Sequence, residues 1–174
     1  MILLKRILVA TDFSDTSKVA LTYGRALART FDATLHVVHV VDNLSAAIYG
    51  IDGYGAAMPP VQADLEDAAR QRLADLLVDH DEHPLPTQQV VLTSNAVAAT
   101  IADYAAQERI DLIVTGTHGR GAMAHLLLGN VAERIVRTAP CPVLTVRQPK
   151  HEFVTSDTLT SSTHAPENAT AAAR

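Results

Sequence analysis

The chain has 174 residues, a length that suits one domain with an added stretch. Hydrophobic residues make up 48% of it but aromatics only 4%, with no tryptophan, so the core must be built from Ala, Val, Leu and Ile. A formal charge of −5 gives no electrostatic reason to bind nucleic acid or an anionic membrane, the single cysteine excludes an internal disulfide and makes no zinc cluster, and no run of about 18 apolar residues is present to span a bilayer.

The opening MILLKRILVATDF places its charges after the first hydrophobics and no cleavage site follows a long apolar stretch, so it reads as a first strand and not as a signal peptide. With the lone cysteine, a reducing cytoplasm is the expected location. RILVATDFSD is a continuous apolar run ending in polar residues, the pattern of a strand buried on both faces of a parallel sheet. Ser14 can cap a helix over 15 to 30, Asp15 suits its positive end, and Val19, Tyr23, Ala26 and Leu27 recur at helical spacing. ATLHVVHVV at 33 to 41 is a second strand; His36 and His39, three apart in it, point to opposite faces and cannot share a metal. The stretch 42 to 60 is long for a connection in a compact domain, which suits a lid or a partner-binding flap.

A helix follows over 60 to 79, and His80 and His83 near its end lie in an acidic, exposed turn better than in a metal site. Then come a strand at 87 to 94, a helix at 95 to 107, a strand at 111 to 117, a helix at 130 to 138 and a strand at 141 to 147. Cys141 begins that last strand and serves there as a small hydrophobe. Strand and helix alternate throughout, which predicts an α/β fold: one doubly wound domain over 1 to 147, a five-stranded parallel sheet with helices on both faces. From 148 to 174 the chain is rich in Ser, Thr and Ala without apolar periodicity, and reads as a disordered tail whose Asn-Ala-Thr triplet means nothing in a cytoplasmic protein.

Four of the eight glycines, Gly116, Gly119, Gly121 and Gly129, fall between the fourth strand and the helix that starts at Asn130. In an open parallel sheet, ligands bind at the carboxyl ends of the strands. Glycines there let backbone amides approach a ligand, and the free N–H groups and dipole of the following helix favour phosphate. Arg120 could add a mobile positive charge. The spacing is neither a Walker loop nor a dinucleotide fingerprint, and glycines that merely serve turns around AMAHLLL explain it equally well on physical grounds.

Gly116-x2-Gly119-x9-Gly129, followed by NVAERIVRTAPCPVLTV, resembles the signature of the universal stress protein family, and ILVATDFSDTS and HVVHVVD resemble the same family. The resemblance spans about 1 to 147. It implies ATP at the strand carboxyl ends and a homodimer joined along the last strand, 142 to 146. By position it implies that Thr115, Gly116, Gly119, Arg120, Gly129, Asn130 and Val131 surround phosphates and ribose. It likewise implies that Ala10, Thr11 and Asp12 line the base and ribose side, and that Val40 offers its backbone to the adenine edge.

Asp12 could accept from a ribose hydroxyl or hold magnesium or manganese bridging the phosphates; as an alternative it caps the turn into the helix at Ser14. Three residues depart from the pattern. Asn130 stands where nucleotide binders of the family have Ser or Thr, Ala132 offers no substitute hydroxyl, and Ser94 stands where many relatives have glycine. His118 could touch a phosphate or orient the loop. No triad pattern activates Ser14 or Ser17, so hydrolysis is expected to be slow at most. The expected function is an ATP-binding, homodimeric stress-response sensor or regulatory module. The alternatives are a dimeric interaction module without nucleotide and a slow ATPase or self-phosphorylating enzyme.

Overall fold

A computed structural model of the chain describes residues 2–44, 59–78, 84–117 and 129–147. Along these residues strand and helix alternate as β1 Arg6–Ala10, α1 Asp15–Phe31, β2 Thr34–Val41, α2 Pro59–Leu76, β3 Thr87–Thr93, α3 Val97–Gln107, β4 Leu112–Gly116, α4 Asn130–Thr138 and β5 Val143–Val146. All neighbouring strands pair in parallel, in the order β3-β2-β1-β4-β5. The α/β, doubly wound, five-stranded fold expected from the alternation is the fold observed.

The central strands β1, β2 and β4 are buried on both faces, so their successive side chains feed two cores, while the edge strand β3 is largely exposed or half-buried. Ile7, Val9, Leu35, Val37, Val114 and Val146 pack with Ala20, Leu21 and Ala28 of α1 and Leu73 of α2. Leu8, Ala10, Val38 and Ile113 pack on the other face with Ala98, Ile101 and Ala105 of α3 and Ile135 of α4. Each Val, Leu or Ile side chain among them removed from water contributes about 1.5–3 kcal/mol. Without large aromatics the layers must approach closely. Ala20, Gly24 and Ala28, four residues apart on one face of α1, permit it, and a Cβ at Gly24 would collide with Cγ2 of Val9.

Element ends follow local chemistry. Ser14 caps α1 by accepting from the Ser17 N–H, and Asp32 closes it in the left-handed conformation at φ 51°. β5 begins at Val143 and not at 141, because Pro142 has no N–H to donate and only its carbonyl joins the ladder, accepting from Ile113. Cys141, half-buried, packs on the α3 and α4 side, and burial pushes its thiol up.

The two β2 histidines face opposite layers as expected. His39 lies toward Phe13, while His36 is 1% exposed with Nδ1 2.9 Å from the Tyr104 hydroxyl. Nε2 of His36 has no hydrogen-bond partner among the described residues, and burial lowers the pKa, outweighing the nearby Glu108 carboxylate and acting alongside Arg6. The folded state therefore resists a proton that the unfolded chain accepts near pH 6.5. Stability from this group is complete above about pH 6.5 and is lost as pH falls below it, until His36 titrates in the folded protein. Urea denaturation at pH 7.5 and pH 5.5 is expected to show this loss, and His36→Leu to shrink it; an equal loss in the variant would assign the acid sensitivity elsewhere.

Candidate functional site

The chain leaves β1 toward β2 on one side, while β4 leads to β5 on the other, so the strand order reverses between β1 and β4. Helices leave opposite faces there and a crevice opens at the strand carboxyl ends. Ala10, Thr11 and Asp12 stand at the end of β1, Thr115 and Gly116 at the end of β4, and Gly129 begins the helix that returns from β4.

The β1 to α1 turn is fixed by its own polar groups. Oδ1 of Asp12 accepts from the Ser14 N–H at 3.0 Å and from the Ser14 hydroxyl at 2.6 Å, which is the turn role considered for it from sequence. The Ser17 hydroxyl donates to the Ser14 carbonyl at 2.8 Å, so its single proton is committed and the Thr11 hydroxyl, 3.0 Å away, must donate to it. Thr11 Oγ1 in turn accepts from the Phe13 N–H at 3.1 Å. Thr11 thus braces the turn from inside, 6% exposed, and only the half-buried Asp12 carboxylate lies at the rim.

Val40 turns its backbone groups toward β1. In a parallel ladder alternate residues turn both N–H and C=O to the same neighbour. Val38 accepts from the Thr11 N–H, so Val38 and Val40 face the β1 side, and Val40 does so beyond Ala10, the last residue of β1 in register. Its side chain meanwhile packs into the second core.

The two described glycines of the cluster differ. A Cβ on Gly116 would lie 3.0 Å from Thr16 Cγ2, 3.2 Å from the Thr16 carbonyl carbon and 3.3 Å from the Ser17 nitrogen, so this glycine lets β4 press against the first turn of α1. Gly129 has φ −69° and ψ 152°, torsions open to any residue, and donates its N–H to the Thr117 carbonyl at 2.7 Å. No side chain caps α4 at Gly129 among the described residues, and the first-turn amides carry the positive end of the helix dipole. Glu133 in that turn is held by Arg137 at 2.9 Å.

Asn130 and Val131 are exposed at this helix start, whereas Ala132 is 5% exposed and directed inward. A hydroxyl at 132 would enter the core, so its absence takes nothing from the crevice. The Ser94 hydroxyl accepts from the Ala96 N–H at 3.0 Å and braces the turn into α3. The expectations for His118, Gly119 and Arg120, for His80 and His83, for the tail 148 to 174 and for most of the flap fall outside the described residues. The root of the flap is pinned: Asn43 and Asn95 exchange backbone to side-chain bonds of 2.7 and 3.1 Å, and the Leu44 N–H donates to Gln62 at 3.0 Å. Among the described residues no three His, Cys, Asp or Glu side chains gather as a metal cage, and no helix is long and apolar enough to cross a membrane.

Sequence comparison matches residues 4–147 to the universal stress protein family. A universal stress protein of Methanocaldococcus jannaschii is 32% identical over 150 residues, 86% of each chain. One from Thermus aquaticus is 34% identical over 143 residues, 82% of this chain and 98% of its own. Among solved structures, universal stress protein UspA from Lactobacillus plantarum superposes with a TM-score of 0.63 at 28% identity, covering 84% of this chain and 100% of that one. At 18% identity and a TM-score of 0.54, the fold is also that of an Archaeoglobus fulgidus universal stress protein in complex with dAMP, over 84% of this chain and 99% of that one. A universal stress protein in complex with cAMP matches at 20% identity and 0.55, over 84% and 98%.

Proposed function

The chain belongs to the universal stress protein family, and we propose that it binds an adenine nucleotide, ATP, in the crevice between the ends of β1 and β4. The observation that carries this reading is the start of α4. Gly129, bonded to Thr117 just past the end of β4, starts the helix with ordinary torsions and, among the described residues, no side-chain ligand on its first turn, so in this reading its missing Cβ leaves the amides behind it to a phosphate. The adenine nucleotides named with two structures of the same fold, cAMP and dAMP, support the same ligand class.

In this reading the outward N–H and C=O of Val40 meet the adenine edge, and Ala10 and Thr11 form the floor. Asp12 accepts from a ribose hydroxyl or holds magnesium or manganese on the phosphates. The donor set fits such an ion only as a bridge, since one carboxylate with phosphate oxygens and water is a common magnesium shell whereas no protein cage surrounds it. Thr115, Gly116, Gly119, Arg120, Gly129, Asn130 and Val131 complete the phosphate side, with the Asn130 amide donating where a hydroxyl stands in relatives.

The hydroxyls of Thr11, Ser14 and Ser17 are spent on one another and on the turn, so none is poised as a nucleophile or base. We read the protein as a cytoplasmic sensor or regulatory module with ATP as a switch ligand, dimerising through the edge strand β5, with the domain ending at 147 and 148–174 appended as a tail. β5 pairs with β4 on one side, and its other edge is where a second copy would add.

Calorimetric ATP titration of the wild type and Asp12→Ala, with and without magnesium, tests the assignment. Loss of one charge-assisted contact, about 1.5 kcal/mol, predicts about tenfold weaker binding and loss of the magnesium effect in Asp12→Ala. Equal affinity of the two proteins would remove Asp12 from the site.

A further inference from the structure

We infer that Arg72 of α2, Phe13 and His39 of β2 form a stack that positions Asp12 for the nucleotide, an inference that rests on the reading of the crevice above. Phe13 has φ 66°, the left-handed region that a bulky side chain rarely adopts and that persists only where the surroundings hold it. Glycine would take the same conformation at no steric cost, so an aromatic here needs a further reason.

The ring itself is gripped. The Arg72 guanidinium carbon lies 4.3 Å from the Phe13 ring centroid, and the His39 ring lies 4.4 Å from it at an interplanar angle of 48°. His39 is oriented in turn by Nδ1, 2.8 Å from the Thr11 carbonyl; a carbonyl only accepts, so Nδ1 carries the proton. Two elements that do not contain Asp12 thereby hold the residues on both sides of it: β2 holds Thr11 and Phe13 through His39, and α2 holds Phe13 through Arg72.

The peptide between Asp12 and Phe13 turns with the Phe13 φ. If the ring were released, relaxation of φ to negative values would rotate that peptide and strain the bonds from Ser14 that aim the Asp12 carboxylate. Phe13 is half-buried and packs against the first core, so its ring serves the fold, whereas Arg72 is exposed and acts on the placement of that ring from the surface. The consequence of the Arg72 contact is geometric.

The test is a double-mutant cycle on the full chain, with magnesium and ATP as the probe. An exposed cation over a half-buried ring, worth about 0.5–1 kcal/mol, predicts that Arg72→Ala weakens ATP binding about two- to fivefold in the wild-type background and has no effect in Asp12→Ala. Phe13→Gly, which keeps the left-handed backbone, is expected to bind more tightly than Phe13→Ala. In the nucleotide-free protein, Arg72→Ala should shift the amide NMR signals of Asp12, Phe13 and Ser14, a change that a remote structural role would not produce. Equal effects of Arg72→Ala in both backgrounds, or unmoved amide signals, would overturn the positioning role alone. A wild type that binds no ATP would overturn the nucleotide reading and this inference with it.

Discussion

Gly129→Val is expected to weaken ATP binding by at least about a hundredfold while the protein stays folded. The torsions at Gly129 suit a β-branched residue well, and its N–H bond to Thr117 survives the change. The fold therefore loses only the preference of a helix N-cap for glycine over valine, about 1 kcal/mol. The ligand loses more. A branched side chain at the first position of the amide cluster keeps a phosphate from the N–H groups of α4, and two charge-assisted hydrogen bonds lost at about 1.5 kcal/mol each amount to about a hundredfold. Calorimetric titration measures the affinity and far-ultraviolet circular dichroism the fold. Retained affinity would place the phosphates elsewhere than at α4.

Gly116→Ala has the opposite profile. The added Cβ meets the Thr16 methyl at 3.0 Å, which can rotate, but also the Thr16 carbonyl carbon and the Ser17 nitrogen at 3.2 and 3.3 Å, which belong to the helix backbone. The first turn of α1 must move away from β4. Overpacking of this kind costs about 1–3 kcal/mol, against about 0.5–1 kcal/mol regained from the lower entropy of the unfolded chain. The difference is centred on a net loss of about 1 kcal/mol, which lowers Tm by about 2–4 °C in a protein of this size, measured without nucleotide. An unchanged or raised Tm would mean that α1 yields freely, and the packing role of Gly116 would be wrong. The two variants separate what one glycine pattern combines: Gly116 serves the approach of helix to sheet, Gly129 the approach of ligand to helix.

Much of this was readable in the sequence, for physical reasons. Strands buried on both faces write themselves as unbroken apolar runs, and their alternation with helical periods leaves few topologies to consider. The ends of β1 and β2, near Asp12 and Val40, could be placed because strand ends are marked by the switch from apolar to polar residues, whereas the roles expected of the two residues came from the family resemblance. Other features had no local signal. Nothing in ATDFSD announces that Phe13, and not a glycine or asparagine, takes the left-handed conformation, since the contacts that hold it come from Arg72 and His39, distant in sequence. The inward aim of Ala132 depends on the phase of α4, which one residue of boundary error reverses. Gly24 did carry a signal, the spacing Ala20, Gly24, Ala28, but an alanine-rich helix hides it. α2 ends at Leu76 instead of 79, and there the Leu77 N–H is shared between the Leu73 and Ala74 carbonyls, the three-centre bond common at helix ends.

The most direct measurement is the nucleotide content of the purified protein, released by denaturation and identified by chromatography and mass spectrometry, with an ATP titration of the emptied chain. The account predicts ATP or ADP recovered in amounts matching the chain, and rebinding that depends on Asp12. A protein that comes out empty and takes up no ATP even at about 1 mM would contradict it and leave a dimeric interaction module without nucleotide in its place.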